Sequence, residues 1–380
     1  MADAASSSSK IASDALCVPC DTCSVVTKRL SVDVTLHMLY EGNYDAALSF
    51  PALAEVGTDR MVTASDIPPS YLTRDGSRFA SMQFGCCLVQ LSNVKGNTTN
   101  VLLDTACGDG STTTYLPRPL PLSLVGTLKS IGVSTNDIHI VIHSHLHADH
   151  CGNNVTDGKP TFPHATHFVH RAEYEFSKLA SCPWREDAAK MFEPIEQCGH
   201  LAFIQGASCL IDAVREIGHV NRHPAPQIEV LAAHGHTPGH VAVRIQPLDA
   251  QSRGAIYIGD AMHFPLQVEK PEWSPSNFDC CGWPARKAWA SWPWILSARC
   301  AVHSVLGYSS SWNRLSAVEA RTALLATIAD SSALLLSPHF PAPGMGRVVR
   351  QTNAPANERA MPQRLAAPAV DRFTYMVCVQ

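Results

Sequence analysis

The chain has 380 residues, 46% of them apolar and 16% charged, which is enough for an ordinary core and argues against bulk disorder. Its formal net charge is −4 with histidine neutral, so the basic excess that a nucleic-acid partner leaves on a sequence is missing. No apolar run has the length of a bilayer span, and the opening stretch from Met1 to Lys10 has no apolar segment of the secretory type.

These features predict a cytoplasmic protein with no membrane and no nucleic-acid partner. The fourteen cysteines read as mostly reduced thiols. Neighbours such as Cys86 and Cys87, or Cys280 and Cys281, rarely bridge each other. Cys17, Cys20 and Cys23 have a zinc-like spacing but no fourth ligand nearby, so they read as a cysteine-rich tail. Residues 1–28 are small and polar and predict a poorly ordered tail, with one layered α/β domain over 29–380.

Alternation from Val32 to Tyr40 predicts the first strand, and Phe84 to Leu91 a second. Val101 to Leu103 reads as a strand running into the turn Asp104-Thr-Ala-Cys-Gly108. Leu124, Val125, Leu128 and Ile131 fall on one helical face, and Gly132 supplies the stop. Ile138 to Ile142 is almost wholly apolar, the mark of a strand buried on both sides. Thr166 to Val169 predicts another strand, flanked by His164, His167 and His170. No carboxylate joins those three, so they read as exposed or half-buried histidines without metal. A helix is predicted between Arg314 and Asp330, with Val318, Leu325 and Ile328 on one face.

Four apolar strands deliver metal-type side chains at their carboxyl ends. Ile138–Ile142 precedes His145-Leu-His147-Ala-Asp149-His150. Val230–Ala232 precedes His234-Gly-His236-Thr-Pro-Gly-His240. Ala255–Ile258 precedes Gly259-Asp260, and Leu334–Leu336 precedes Ser337-Pro-His339. Ends of buried strands converge on one rim of a sheet, so four such rims point to one shared site. Neutral imidazoles with carboxylates suit zinc and related divalent ions. The run from His145 to His150 is too crowded for one tetrahedral ion with an open position. With His236, Asp260 and His339 the donors suffice for two ions, and a carboxylate shared between both is the best use of Asp260. His143, still on the strand, reads as a buried, hydrogen-bonded histidine.

The ordered set H-x-H-x-D-H, H-T-P-G-H, strand-terminal G-D and a late strand-terminal histidine resembles the metallo-β-lactamase superfamily over roughly residues 80–350. Gly259-Asp260-Ala-Met-His263 and Pro338-His339-Phe-Pro look most like the methyl parathion hydrolase and quorum-quenching lactonase branch. The resemblance implies a four-layer αββα sandwich. It implies His145, His147 and His236 on a first metal, Asp149, His150 and His339 on a second, and Asp260 as the bridge. Asp104 matches an early supporting aspartate behind the ligands. The implied cofactors are two divalent ions, zinc foremost, with manganese, cobalt or iron admitted. His236 is taken over His234 and His240 because in the family the histidine before T-P-G is the ligand.

The implied activity is hydrolysis of an ester-like bond in a small-molecule substrate (lactone, carboxylic ester or phosphotriester) by a metal-bridging hydroxide. Asp149 would orient the nucleophile and pass a proton to the leaving group. His263 reads equally as a donor to the substrate oxygen and as a structural rim residue. Thioesterase and lactamase chemistry use the same metals. A mono-iron sulfur dioxygenase and a nuclease are rivals, opposed by the complete second donor set and by the weakly acidic charge. Oligomeric state is not readable. Six of the seven tryptophans fall between residues 273 and 312. The stretch 282–316 departs from the family pattern, either as a lid over the metals or as an insertion without function, and its composition and repeated prolines favour the second reading.

Overall fold

The computed structural model describes residues 24–44, 53–56, 58, 60–72, 82–92, 97–109, 120–206, 226–249, 251–275, 314–351 and 372–378. Cys17, Cys20, Cys23 and nearly all of the tryptophan-rich stretch 282–316 lie outside the described residues. In chain order the first half gives β1 (Val25–Arg29), β2 (Val34–Tyr44), β3 (Leu53–Glu55), β4 (Arg60–Met61), β5 (Met82–Ser92) and β6 (Thr98–Leu103). Helix α1 (Leu124–Ser130), β7 (Ile138–Ile142), α2 (Ala148–Cys151), β8 (Val155–Thr156), β9 (Lys159–Pro160), β10 (Thr166–His170), α3 (Arg171–Ser177), α4 (Arg185–Gln197) and β11 (Leu201–Ile204) follow. The second half gives β12 (Gln227–Ala232), β13 (Val241–Gln246), β14 (Ala255–Tyr257), α5 (Leu266–Glu269), β15 (Trp273–Pro275), α6 (Arg314–Ser331), β16 (Leu334–Leu336), β17 (Met345–Arg350) and β18 (Phe373–Val377).

Two mixed sheets are stacked, one ordered β1-β2-β5-β6-β7-β10-β11 and the other β12-β13-β14-β16-β17-β18. Strand alternation explains the layers. Val101 and Leu103, Ile140 and Ile142 from the first sheet meet Val243, Tyr257, Leu334 and Leu336 from the second in the central core. The intervening residues point the other way. Leu102 and Val141 pack under Leu124 and Leu128 of α1, and Ile256 and Leu335 pack under Leu324, Leu325 and Ile328 of α6. Strands covered on both faces must be apolar throughout, which is why these runs have no polar phase. The result is the αββα sandwich.

Three expectations change. The tail expected over residues 1–28 is cut short by β1, which pairs antiparallel with β2 from Val25↔Leu39 to Arg29↔Thr35. Val26 alone of that strand is buried, so its polar composition hid the strand. Val125, expected on the apolar face of α1, is 41% exposed, because the face that meets the sheet is set by Leu124, Thr127 and Leu128. His167, expected to be exposed or half-buried, is fully buried, since β10 is an inner strand between β7 and β11. Its Nδ1 faces His143 Nε2 at 3.1 Å, and burial pushes His167 down to about 3, which keeps it neutral.

The small sheet β15-β3-β4 lies apart from the stacked pair. Its Leu53 and Trp273 join Phe84, Phe264 and Leu266 in a separate apolar cluster. That cluster abuts the site, with the Phe84 ring 5.4 Å from the His339 ring, edge to face.

Candidate metal centre

Strand β6 pairs in parallel with β7, so their carboxyl ends open side by side. The chain leaves β6 through Asp104 and leaves β7 through Ser144. Asp104 and Ala106 take positive φ, 61° and 50°, a conformation that costs of order 1–3 kcal/mol for a side-chain-bearing residue. The turn is held by Asp104 N–H donating to Ile142 O (2.9 Å), Thr105 N–H to His150 O (2.7 Å) and Gly152 N–H to Ala106 O (2.8 Å). Gly152 is required there, because a Cβ would stand 1.8 Å from the Cys107 carbonyl oxygen.

The Asp104 carboxylate is fully buried. Oδ1 accepts from the Ser144 N–H (2.7 Å), and Oδ2 accepts from the Ser144 hydroxyl (2.7 Å), His150 Nδ1 (2.8 Å) and the Tyr257 hydroxyl (2.9 Å). This network fixes ring protons. Ser144 spends its only hydrogen on Asp104, so at 3.0 Å it accepts from His145 Nδ1. His150 Nδ1 gives its proton to Asp104, and His339 Nδ1 gives its proton to the Gln83 carbonyl at 2.8 Å. The three Nε2 atoms are left as lone pairs aimed into the site.

All seven residues read from the sequence as candidate ligands come together, in two groups sharing one carboxylate. In the first, His145 Nε2 is 2.9 Å and His236 Nε2 3.0 Å from His147 Nδ1. Asp260 Oδ2 stands 3.6 Å from His145 Nε2 and 3.3 Å from His236 Nε2. In the second, Asp260 Oδ1 lies 2.9 Å from both His150 Nε2 and His339 Nε2. Asp149 Oδ2 is 3.7 Å from each of the same two nitrogens. Asp260 Oδ1 is buried and accepts no hydrogen bond. Lone pairs facing each other at these distances repel unless a proton or a metal ion stands between them. Separations near 3 Å are about the edge of a tetrahedron of donors around an ion with bonds of ~2.0–2.2 Å. The residues therefore fit two divalent ions.

Electrostatics agree. Burial pushes His145 and His147 well below the ordinary histidine value, which keeps them in the neutral form a metal requires. For His150 burial acts the same way, but Asp260, Asp149 and Asp104 outweigh it and raise the value. His339 is likewise raised by Asp260 against its own burial. A positive charge, proton or metal ion, is thus drawn to the second group.

His263 lies beside Asp260, 98% covered, with Nε2 3.2 Å from Asp260 Oδ2. Its backbone N–H donates to Gln267 Oε1 at 2.6 Å. His240 is in neither group. Its Nδ1 donates to the Ala233 carbonyl and its Nε2 accepts the Asp260 backbone N–H, so it props Asp260 from behind.

Other supports were silent in the sequence. Glu41, on β2, accepts from Cys107, Gly108 and Leu124 N–H and from Asn153 Nδ2, tying the Asp104 turn to the end of the histidine loop. Arg321, fully buried on α6, donates to the carbonyls of Ala261, Pro271 and Trp273 and holds the loop after Asp260. Both are charged residues inside otherwise apolar patterns. That mismatch is the one signal that could have marked them.

Residues 86–263 match the model of the metallo-beta-lactamase superfamily. Over 53 residues the chain is 43% identical to the N-acyl homoserine lactonase AttM of Azorhizobium caulinodans, covering 14% of this chain and 18% of that protein. AttM of Agrobacterium fabrum matches over the same shares. The chain thus spans only 18% of the length of these relatives. Among solved structures it is similar to AidC, a dizinc quorum-quenching lactonase in complex with a product, at TM-score 0.61 and 17% identity, covering 95% of this chain and 99% of that one. It is also similar to the hydrolase AbOPH of the beta lactamase superfamily, at TM-score 0.58 and 18% identity, covering 94% and 98%. The structural likenesses carry the fold, and within it residues 86–263, which hold His145 to His150, His236 and Asp260, are the part that matches the metallo-beta-lactamase superfamily model. Among the described residues no helix is long and apolar enough to cross a membrane.

Proposed function

We propose that the chain is a dinuclear metal-dependent hydrolase that cleaves an ester-like bond in a small molecule, with lactones the first class to test. The observation that carries this is the division of Asp260, one oxygen toward each histidine group. A single ion would not need both oxygens served by separate imidazole sets.

His145, His147 and His236 would hold one ion, Asp149, His150 and His339 the other, and Asp260 both. Zinc suits this imidazole and carboxylate set, and manganese, cobalt or iron could take the same places. Two bound cations would supply a nucleophile from water at neutral pH and polarise a carbonyl or phosphoryl oxygen. The chain's own contribution is orientation and proton handling. Asp104, Ser144 and the Gln83 carbonyl hold imidazole protons on the far side of the rings. The Asp149 side chain is 14% exposed against 4% for Asp260. It is the carboxylate with access to solvent, so we assign its Oδ2 the proton that leaves the attacking water and reaches the leaving group. His263 orients Asp260 through Nε2, 3.2 Å from its Oδ2, and is placed to serve a substrate oxygen there. Replacing it with Gln separates the roles: a support loses metal affinity, whereas a proton donor keeps the metals and loses one limb of the pH profile.

Lactone is placed first because the sequence relatives are lactonases by name. Aryl ester, phosphotriester, thioester and β-lactam hydrolysis would use the same groups. The test is a panel of these five substrates on zinc-loaded protein, with and without chelator. The expected result is lactone hydrolysis abolished by chelation and restored by Zn²⁺, Mn²⁺ or Co²⁺. Full activity in metal-free protein would overturn the proposal, and one iron per chain would point to dioxygenase chemistry.

A further inference from the structure

The three imidazoles of the first group come from two separate loops. His145 and His147 leave β7 in the first sheet, and His236 leaves β12 in the second. Something must set the gap between these loops, because the first ion would be gripped only if they stand at the right separation.

Glu173 spans that gap. It sits on α3, is 1% exposed, and presents one oxygen to each loop. Oε1 accepts the N–H of Leu146, the residue between His145 and His147, at 3.2 Å. Oε2 accepts the N–H of Gly239, three residues after His236, at 2.8 Å. Gly239 lies so close to α3 that a Cβ there would stand 2.4 Å from Glu173 N and 2.6 Å from Glu173 Cβ. The His236 loop is therefore seated on the helix that carries the carboxylate, and the missing side chain lets it reach. None of the second group's direct supports, Asp104 on His150 or the Gln83 carbonyl on His339, involves Glu173.

We infer that Glu173 is a positioning residue that clamps the His145–His147 loop to the His236 loop and so sets the affinity of the first ion, while leaving the second largely untouched. The inference rests on the dinuclear reading above. A carboxylate can accept from two diverging N–H groups at once. An amide in its place can accept from one only, because its NH₂ would face the other donor.

The test is titration of metal-free wild-type, Glu173→Gln and Glu173→Asp protein with Co²⁺, following the visible spectrum and the number of ions bound at each step. Wild type is expected to bind two ions. Glu173→Gln is expected to lose 10- to 100-fold in affinity for one of them, as for other residues that orient metal ligands, with the second within about threefold of wild type. Thermal unfolding of the metal-free forms separates clamping from bulk stability. Equal weakening of both ions alongside a lowered midpoint would overturn the inference, and so would two unchanged ions. Should Glu173→Gln not fold, Glu173→Asp keeps the charge but is one methylene short of spanning both loops, and the same selective loss is expected of it. If wild type itself binds fewer than two ions, the dinuclear reading fails instead.

Discussion

The two donor groups sit side by side and share Asp260, yet the protein braces them differently. In the second group the rings themselves are held, His150 by Asp104 and His339 by the Gln83 carbonyl, both through Nδ1 at 2.8 Å. In the first group the backbone of two loops is held, through Glu173 on Leu146 and Gly239, and the His145 ring is steered by Ser144. Ring-held donors are fixed in direction and in which ring nitrogen keeps its hydrogen. Backbone-held donors depend on the spacing of two sheets. The second group should therefore resist loop movement, and the first should be the one that responds to it.

The sharpest way to break this comparison is to remove what the groups share. Asp260→Ala is expected to lower hydrolysis at least ~100-fold and to release ions from both groups, because a ligand common to both is gone. Metal analysis beside a rate measurement checks it, and loss from one group alone would show that the bridge is not shared. Asp104→Ala comes next. It frees the His150 ring proton to move to either nitrogen, and an expected 10- to 100-fold loss of affinity should be largest at the second ion. Competition with a chromophoric chelator measures it.

The pH response sharpens the same contrast. The raised values of His150 and His339 mean that, without metal, protonated rings there contribute stability that is present below about pH 6.5, the ordinary histidine value. That contribution is lost as pH rises through the raised folded values. A metal ion replaces the proton. The rise in melting temperature on adding Zn²⁺ should thus be larger at pH 8 than at pH 6, which thermal unfolding at both values tests. The smallest effect is expected from Ser144→Ala. It removes one hydrogen bond to Asp104 and the partner of His145 Nδ1, about 1 kcal/mol or roughly fivefold in affinity, read most clearly at the first ion.

What the sequence disclosed follows the same division. Most of the candidate ligands were legible because they follow strands of apolar character, and a strand buried on both faces, such as β7 or β16, cannot hide its phase. Ile138–Ile142 and Leu334–Leu336 announce where His145 and His339 must emerge. Asp104 was legible for the same reason, at the end of β6. Glu173, Glu41, Tyr257 and Arg321 were not, because each acts on partners 27 to 153 positions away in the chain. No local period encodes such a contact. Strand β1 was missed because its partner, not its own composition, makes it a strand. His167 was misplaced because the order of strands in the sheet, unknown from spacing, decides which are inner.

The central claim is that one carboxylate serves two ions. Its most direct measurement is the number of divalent ions bound per folded chain after zinc loading and removal of excess, in wild type and in Asp260→Ala. Two per wild-type chain and fewer than one in the variant is the predicted result, and a single ion in wild type, retained when Asp260 is replaced, would contradict it.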